Sequence, residues 1–263
     1  MKKSSLSSAF VLAVIPVSLL ISVIIFMFVL GNPANFIENN PENNPLPGNY
    51  LGIVYKGGVL VPVLISLLLI TITFCVERYI TVLRSRGTKP VEKFLHEVRS
   101  LIANKKIDEA IKACQNQKGS IANVINSGLV TYQQMEKDTT LDKEHKILTI
   151  QKSLEESTSL ELPMLSKNLP IISTIASIAT LVGLLGTVLG MIKAFAAMAT
   201  AGAPDAVQLA NGISEALINT ALGIGTSAIA IIFYNFFTTK IDSITYGIDE
   251  AGFSIVQSYS ATH

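Results

Sequence analysis

Charge is scarce in this chain of 263 residues: Asp, Glu, Lys and Arg together supply 15% of it, against about 25% in an ordinary soluble domain. With 49% hydrophobic residues and a mean hydropathy of +0.49, that shortage excludes a soluble globule and points to a membrane protein. Cysteine and histidine are scarcer still. Cys75 and Cys114 lack metal-ligand spacing, and His96, His145 and His263 are scattered. No zinc site, thiol motif or catalytic triad can be assembled from them, so neither an enzyme nor a cofactor is expected. The two thiols read as buried structural residues. The formal net charge of +1, without a basic stripe, excludes nucleic acid as a partner.

The charges that are present are concentrated. Of 20 Lys and Arg residues, 15 fall between Glu77 and Lys167, with 12 of the 19 acids. That stretch is the water-exposed part. Outside it, four runs approach the roughly 20 apolar residues that span a bilayer: Ala9–Leu30, Val59–Val76, Pro170–Met191 and Leu217–Phe237. The second extends back to Ile53 if Lys56 snorkels outward. Met1-Lys2-Lys3 before the first run also suits a signal peptide, but the apolar core exceeds the usual h-region of about 7–15 residues and no clear small-x-small site follows, so it reads as a retained span.

Lys and Arg flank the spans on one side only. Lys2 and Lys3 precede the first, Arg78, Arg84, Arg86 and Lys89 follow the second, Lys167 precedes the third and Lys240 follows the fourth, while the intervening turn, Ala196–Gly212, has no basic residue at all. The positive-inside rule then makes both termini and residues 77–168 cytoplasmic. The expected organisation is an N-terminal span with an external loop over 1–52, a span over 53–76, a cytoplasmic helical region over 77–168, paired spans over 169–238 and a cytoplasmic tail over 239–263. Asn32–Tyr50, rich in Asn and Pro, has no reason to fold independently. Val91, Phe94, Leu95, Val98, Leu101 and Ile102, then Ile107, Ala110, Ile111 and Cys114, then Ile121, Val124, Ile125, Leu129 and Tyr132, repeat at three-four spacing and predict packed cytoplasmic helices. A charged helix from Asp142 leads toward Pro163 and Pro170, which kink it or begin a new one.

The third and fourth spans carry small and hydroxylated residues at helical spacing. Ser173, Thr180 and Thr187 recur every seven residues, as do Thr220 and Ser227, so each set drifts only about 20° per step along one helix face. Lone hydroxyls in a span bond their own i−4 carbonyls; two aligned stripes beside glycine faces point to a wet interior. Gly186 and Gly190 form a GxxxG, Gly183 and Thr187 a second small-xxx-small pair, and the fourth span carries Gly223, all suited to close helix packing. Glu215 is the one acid inside either run. About 15 Å along a helix from the outer end, it needs a partner or water, and Lys193 can supply an ion pair; an interfacial glutamate on a longer helix is the alternative. The deep interior of both spans has no further Asp, Glu, Lys, Arg or His. A proton path normally uses ionisable relays, so a conducting form requires a second polypeptide to bring a carboxylate.

The run Leu184-Leu-Gly-Thr-Val-Leu-Gly-Met-Ile-Lys-Ala-Phe195, then Gly212-Ile-Ser-Glu-Ala-Leu-Ile-Asn-Thr-Ala-Leu-Gly223, then Tyr234-Asn235, resembles the MotA/TolQ/ExbB proton-channel family, and its ExbB branch most. Glu77-Arg78 after a span and the stretch Ile121–Leu129 add to the likeness, which covers about Val59 to Asp242. The resemblance implies an inner-membrane subunit that forms a pentamer around two helices of a single-span, ExbD-type partner carrying a membrane Asp, with proton flow driving a TonB-type protein. It implies pore roles for Thr187, Thr220 and Glu215. Thr180 and Ile229 stand where the family often has proline, changes that favour straighter helices and add a hydroxyl to the presumed lumen. The first span is extra to the three of that branch.

The expected fold is therefore an all-α, polytopic membrane bundle whose long transmembrane helices extend into a cytoplasmic helical domain, and which forms a ring. Thr187, Thr220, Glu215, Thr180 and Ser227 are the candidate pore residues, and Gly183, Gly186, Gly190 and Gly223 the packing residues. The expected function is proton-driven energising of TonB-dependent outer-membrane transport. A TolQ-like or a gliding or flagellar stator subunit shares the mechanism with a different partner; a non-conducting membrane scaffold does not.

Overall fold

A computed structural model describes the backbone of residues 2–199 and 205–262, and side chains from Leu12 onward except that of Thr262. The structure is 86% helical and has no strands among the described residues. Among the described residues, four helices are long and apolar enough to cross a membrane. The chain divides into two compact units, Met1–Val76 with Ile171–Tyr234, and Glu77–Pro170 with Asn235–His263.

In the first unit, α1 (Lys2–Ile24) ends in a π-helical turn, Ile25–Leu30, where the Gly31 N–H reaches back to the Phe26 carbonyl at 2.9 Å. The segment after it, expected not to fold independently, leans back on the helix ends through its asparagines. Asn35 Nδ2 donates to the Val29 and Leu30 carbonyls at 2.9 and 3.0 Å, satisfying groups that a helix end leaves orphaned. Asn49 Nδ2 donates to Asn35 Oδ1 at 3.0 Å, and Phe36 is buried with its ring edge on Tyr55, which stacks on Phe26.

The second span does not reach back to Ile53 as one helix. A short α2 (Tyr50–Tyr55) stops, the chain turns through Lys56–Val59 with Gly58 at φ +75°, and α3 runs Leu60–Ser85. Lys56 does not snorkel freely: its Nζ donates to the Pro41 and Glu42 carbonyls, both at 3.0 Å. The third and fourth spans lie in α8 (Leu169–Met198) and in the first part of α9 (Ala206–Thr262), whose start is capped by Asp205 accepting from the Val207 and Gln208 N–H groups. Neither helix breaks at Thr180 or Ile229.

The second unit packs α4 (Val91–Ala103), α5 (Ile107–Gln117), α6 (Gly119–Lys137) and α7 (Lys143–Ser166) through the apolar stripes read from the sequence: Phe94, Val98, Ile102, Ala110, Ile121, Val124, Ile125 and Leu129 are all buried. Burial pushes the Cys114 thiol up to about 12, as befits a structural residue. The chain breaks at Lys167-Asn168, between Pro163, inside α7, and Pro170, at the second position of α8, where a missing N–H is harmless. Buried Arg78 covers the end of α7, donating to the Leu165 carbonyl at 2.9 Å and to Glu77 Oε2 at 2.6 Å; Asn168 Nδ2 donates to the same carboxylate at 3.0 Å.

Residues 239–262, expected as a tail, instead continue α9 as helix. Phe237, Ile241, Ile244, Ile248, Ala251, Ile255 and Tyr259 recur every three or four residues and are all buried, the spacing that puts an apolar stripe on one helix face. Tyr259 meets the Tyr132 ring edge-on at 4.8 Å and donates its hydroxyl to the Met135 carbonyl at 3.1 Å, while Arg99 pairs with Glu250 at 2.6 Å.

Candidate functional site

Two rows of small side chains bring α8 and α9 together. On α8, Ala179, Gly183, Gly186, Gly190 and Ala194 are buried at three-four spacing; on α9, Gly212, Ala216, Asn219, Gly223 and Ala230 answer them. The contacts pair low numbers with high ones, so the helices run antiparallel. A Cβ added at Gly190 would lie 2.7 Å from both the Ala216 nitrogen and the Gly212 carbonyl oxygen, and one at Gly223 would lie 2.6 Å from the Ala179 carbonyl oxygen. At Gly186 it would collide with the Asn219 side chain, and at Gly183 it would sit 3.1 Å from Gly223 Cα. Backbone meets backbone here, which only glycine permits.

The hydroxyls flank this seam. With about 100° of rotation per residue, Thr180, Thr187, Thr220 and Ser227 sit roughly 50–110° from the seam's centre, each in the direction of increasing residue number. On antiparallel helices, offsets of the same rotational sense point to the same side of the pair. The two stripes therefore share one flank. Thr180, Thr187 and Thr220 are half-buried there and Ser227 is buried. The three threonine hydroxyls are back-bonded: Thr187 Oγ1 donates to the Leu184 carbonyl at 2.6 Å, Thr180 Oγ1 to Ala176 at 3.4 Å, and Thr220 Oγ1 to Ala216 at 3.1 Å, with the Gly183 carbonyl of the facing helix at 3.4 Å. Each keeps its lone pairs as acceptors.

Glu215 does not join them. It lies on the opposite side of the seam, where Lys193 Nζ holds both carboxylate oxygens at 2.6 and 2.8 Å. Its side chain is 15% exposed and that of Lys193 57%. Together with Lys56, Gln208 and Asn211 they line an open recess of about 540 Å³. The turn before α3 packs on the same side: a Cβ on Gly58 would lie 2.6 Å from Glu215 Oε1, and Asn219 Nδ2 donates to the Gly57 carbonyl at 2.8 Å. Sequence reading passed over Asn219. An amide four residues after Glu215, inside an apolar run, was the available signal.

These features define a multi-pass membrane protein whose paired helices are zipped by glycine and carry hydroxyls on one flank and a single neutralised carboxylate on the other. Residues 116–250 match the model of the MotA/TolQ/ExbB proton channel family, and the chain belongs to that family. Its members form oligomeric complexes with single-span partners. A search of curated proteins finds no match to this chain.

Proposed function

We propose that this chain is an ExbB-type proton-channel subunit of a bacterial inner membrane. It assembles as a homo-oligomeric ring, a pentamer by family resemblance, around the helices of an ExbD-type single-span protein, and uses proton-motive force to energise TonB-dependent transport across the outer membrane. Both termini and the region 77–168 face the cytoplasm, in keeping with the Lys and Arg flanks. Residues 53–76 and 1–52 serve as supporting spans with an outer loop, and the pair within 169–238 lines the pore.

The observation that carries this reading is the shared hydroxyl flank of α8 and α9. Two helices side by side enclose nothing, so a lumen needs further copies, each turning Thr180, Thr187, Thr220 and Ser227 inward. Hydroxyls relay protons but do not titrate near neutral pH, so the partner's membrane Asp supplies the group that loads and unloads. A charge crossing 100 mV releases about 2.3 kcal/mol, enough to bias one conformational step per transit.

Valine replaces threonine's hydroxyl by a methyl at nearly equal volume. The Thr187→Val, Thr220→Val double variant is expected to assemble normally, judged by native mass, while proton-coupled transport falls roughly tenfold or more, the effect of removing two hydrogen-bonding groups worth about 0.5–1.5 kcal/mol each. Undiminished transport would leave the hydroxyls a packing role and favour a non-conducting scaffold. The family match covers MotA, TolQ and ExbB alike; a TonB-like gene beside the partner's favours the ExbB reading over a Tol or motility stator.

A further inference from the structure

Asn219 is 1% exposed, and its amide is only half satisfied: Nδ2 donates to the Gly57 carbonyl, whereas Oδ1 is buried without a hydrogen-bond partner among the described groups. The Gly57 carbonyl can only accept, so it fixes which end of the amide faces it. One hydrogen bond thus ties α9 to the turn that links α2 and α3. The turn is shaped to fit there. A Cβ on Gly57 would lie 2.8 Å from Ile218 Cγ2, and Gly58 combines a left-handed φ of +75° with the close approach to Glu215 Oε1. Gly57 and Gly58 therefore cover Ile218 and one face of the Glu215 carboxylate, while Lys56, fastened to the Pro41 and Glu42 carbonyls, stands at the rim of the recess through which water reaches the other face.

We propose that the turn Lys56–Gly58 is a clasp over the outer end of the pore pair, fastened by Asn219 as a positioning residue, and that it limits the access of external water to Glu215. The inference rests on the proton-channel reading for its purpose but not for its geometry. When Asn219 lets go, the Gly57 carbonyl loses its donor, the turn lifts, and Ile218 and Glu215 become exposed together.

The test uses the full chain with its single-span partner in sealed membranes, with Ile218→Cys as reporter and a membrane-impermeant maleimide as probe; the chain without that reporter measures background from Cys75 and Cys114, which are both buried. Adding Asn219→Ala should speed labelling of the reporter roughly tenfold, the factor expected from one hydrogen bond of ordinary net strength. Asn219→Asp should make labelling depend on pH. Its neutral carboxyl can donate to the Gly57 carbonyl and its ionised form cannot, so labelling, taken relative to the reporter with native Asn219 at each pH, should be slow in acid and rise as pH increases. The charged groups around that position are Lys56 on the turn, Lys193 on α8 and Glu215 on α9 itself. A purely structural role for Asn219 gives no such profile. If Asn219→Ala fails to assemble, Gly58→Ala provides the same reading by straining the turn, whose φ of +75° at Gly58 an alanine rarely adopts. Unchanged labelling in assembled Asn219→Ala, or a flat relative profile for Asn219→Asp, overturns the clasp. Faster labelling without proton flux even in the native chain leaves the clasp standing and removes the channel reading instead.

Discussion

At the scale of single residues, two glycines of α9 only two positions apart, Gly223 and Gly225, meet opposite surroundings. Gly223 lies in the seam, where an added Cβ would meet the Ala179 carbonyl oxygen at 2.6 Å and Gly183 Cα at 2.8 Å. Neither atom can rotate away, so the helices themselves would have to separate. Gly225, two residues on, has no neighbour within 4 Å of its Cβ position. Gly223→Ala is therefore expected to destabilise the fold by about 1–3 kcal/mol, the usual range for overpacking, whereas Gly225→Ala should be neutral or gain slightly from helix propensity. Thermal unfolding of the two variants in the same detergent checks the contrast. Equal midpoints would mean that the seam is looser than backbone contact requires.

At the scale of elements, α9 does two jobs with two different chemistries. Its first part packs by small residues, as helices in hydrocarbon do, because lipid tails offer no hydrophobic drive for association. From Phe237 onward it packs by large ones, because water restores that drive. Ile248 and Ile255 are buried in this second part. Truncating either, as Ile248→Ala or Ile255→Ala, should cost about 2–5 kcal/mol and open residues 77–168 to limited proteolysis, while leaving Gly183 and Gly223 engaged. If the cytoplasmic unit resists protease as well as the native chain does, the C-terminal helix is ornamental. The stripe was legible in the sequence: Ile241, Ile244, Ile248, Ala251 and Ile255 stand at helical spacing. It was passed over because one apolar residue in three or four, set among Ser, Thr and Asp, has a low mean hydropathy. The cap over α1 was hidden for a different reason. Asparagine-rich segments read as solvated loop by composition, and only coordinates reveal that Asn35 and Asn49 are spending their amides on helix carbonyls and on each other.

At the scale of the whole molecule, what the sequence made legible was periodic: four apolar helices, glycine at seam spacing, hydroxyls every seven residues. What it left open was rotational and long-range. Grouping Glu215 with Thr220 was natural for residues five apart near one helix end, yet five residues turn a helix by about 140°, and that angle carries Glu215 across the seam to Lys193 and the Gly57–Gly58 turn. The separation has a consequence for transport. Paired with a lysine at 2.6 Å, on the flank away from the hydroxyls, Glu215 is poorly placed to load protons into the stripe. The deep part of both helices holds no other Asp, Glu, Lys, Arg or His, and hydroxyls alone give a bound proton nowhere to rest. The chain reconstituted by itself in liposomes should thus carry no proton current above that of empty vesicles. Adding the single-span partner should restore it, and replacing that partner's membrane aspartate with asparagine should abolish it again without dispersing the complex. A proton current from this chain alone, measured with a pH-sensitive dye under an imposed potential, would show that Glu215 or the hydroxyl flank suffices, and the need for a carboxylate from outside would disappear.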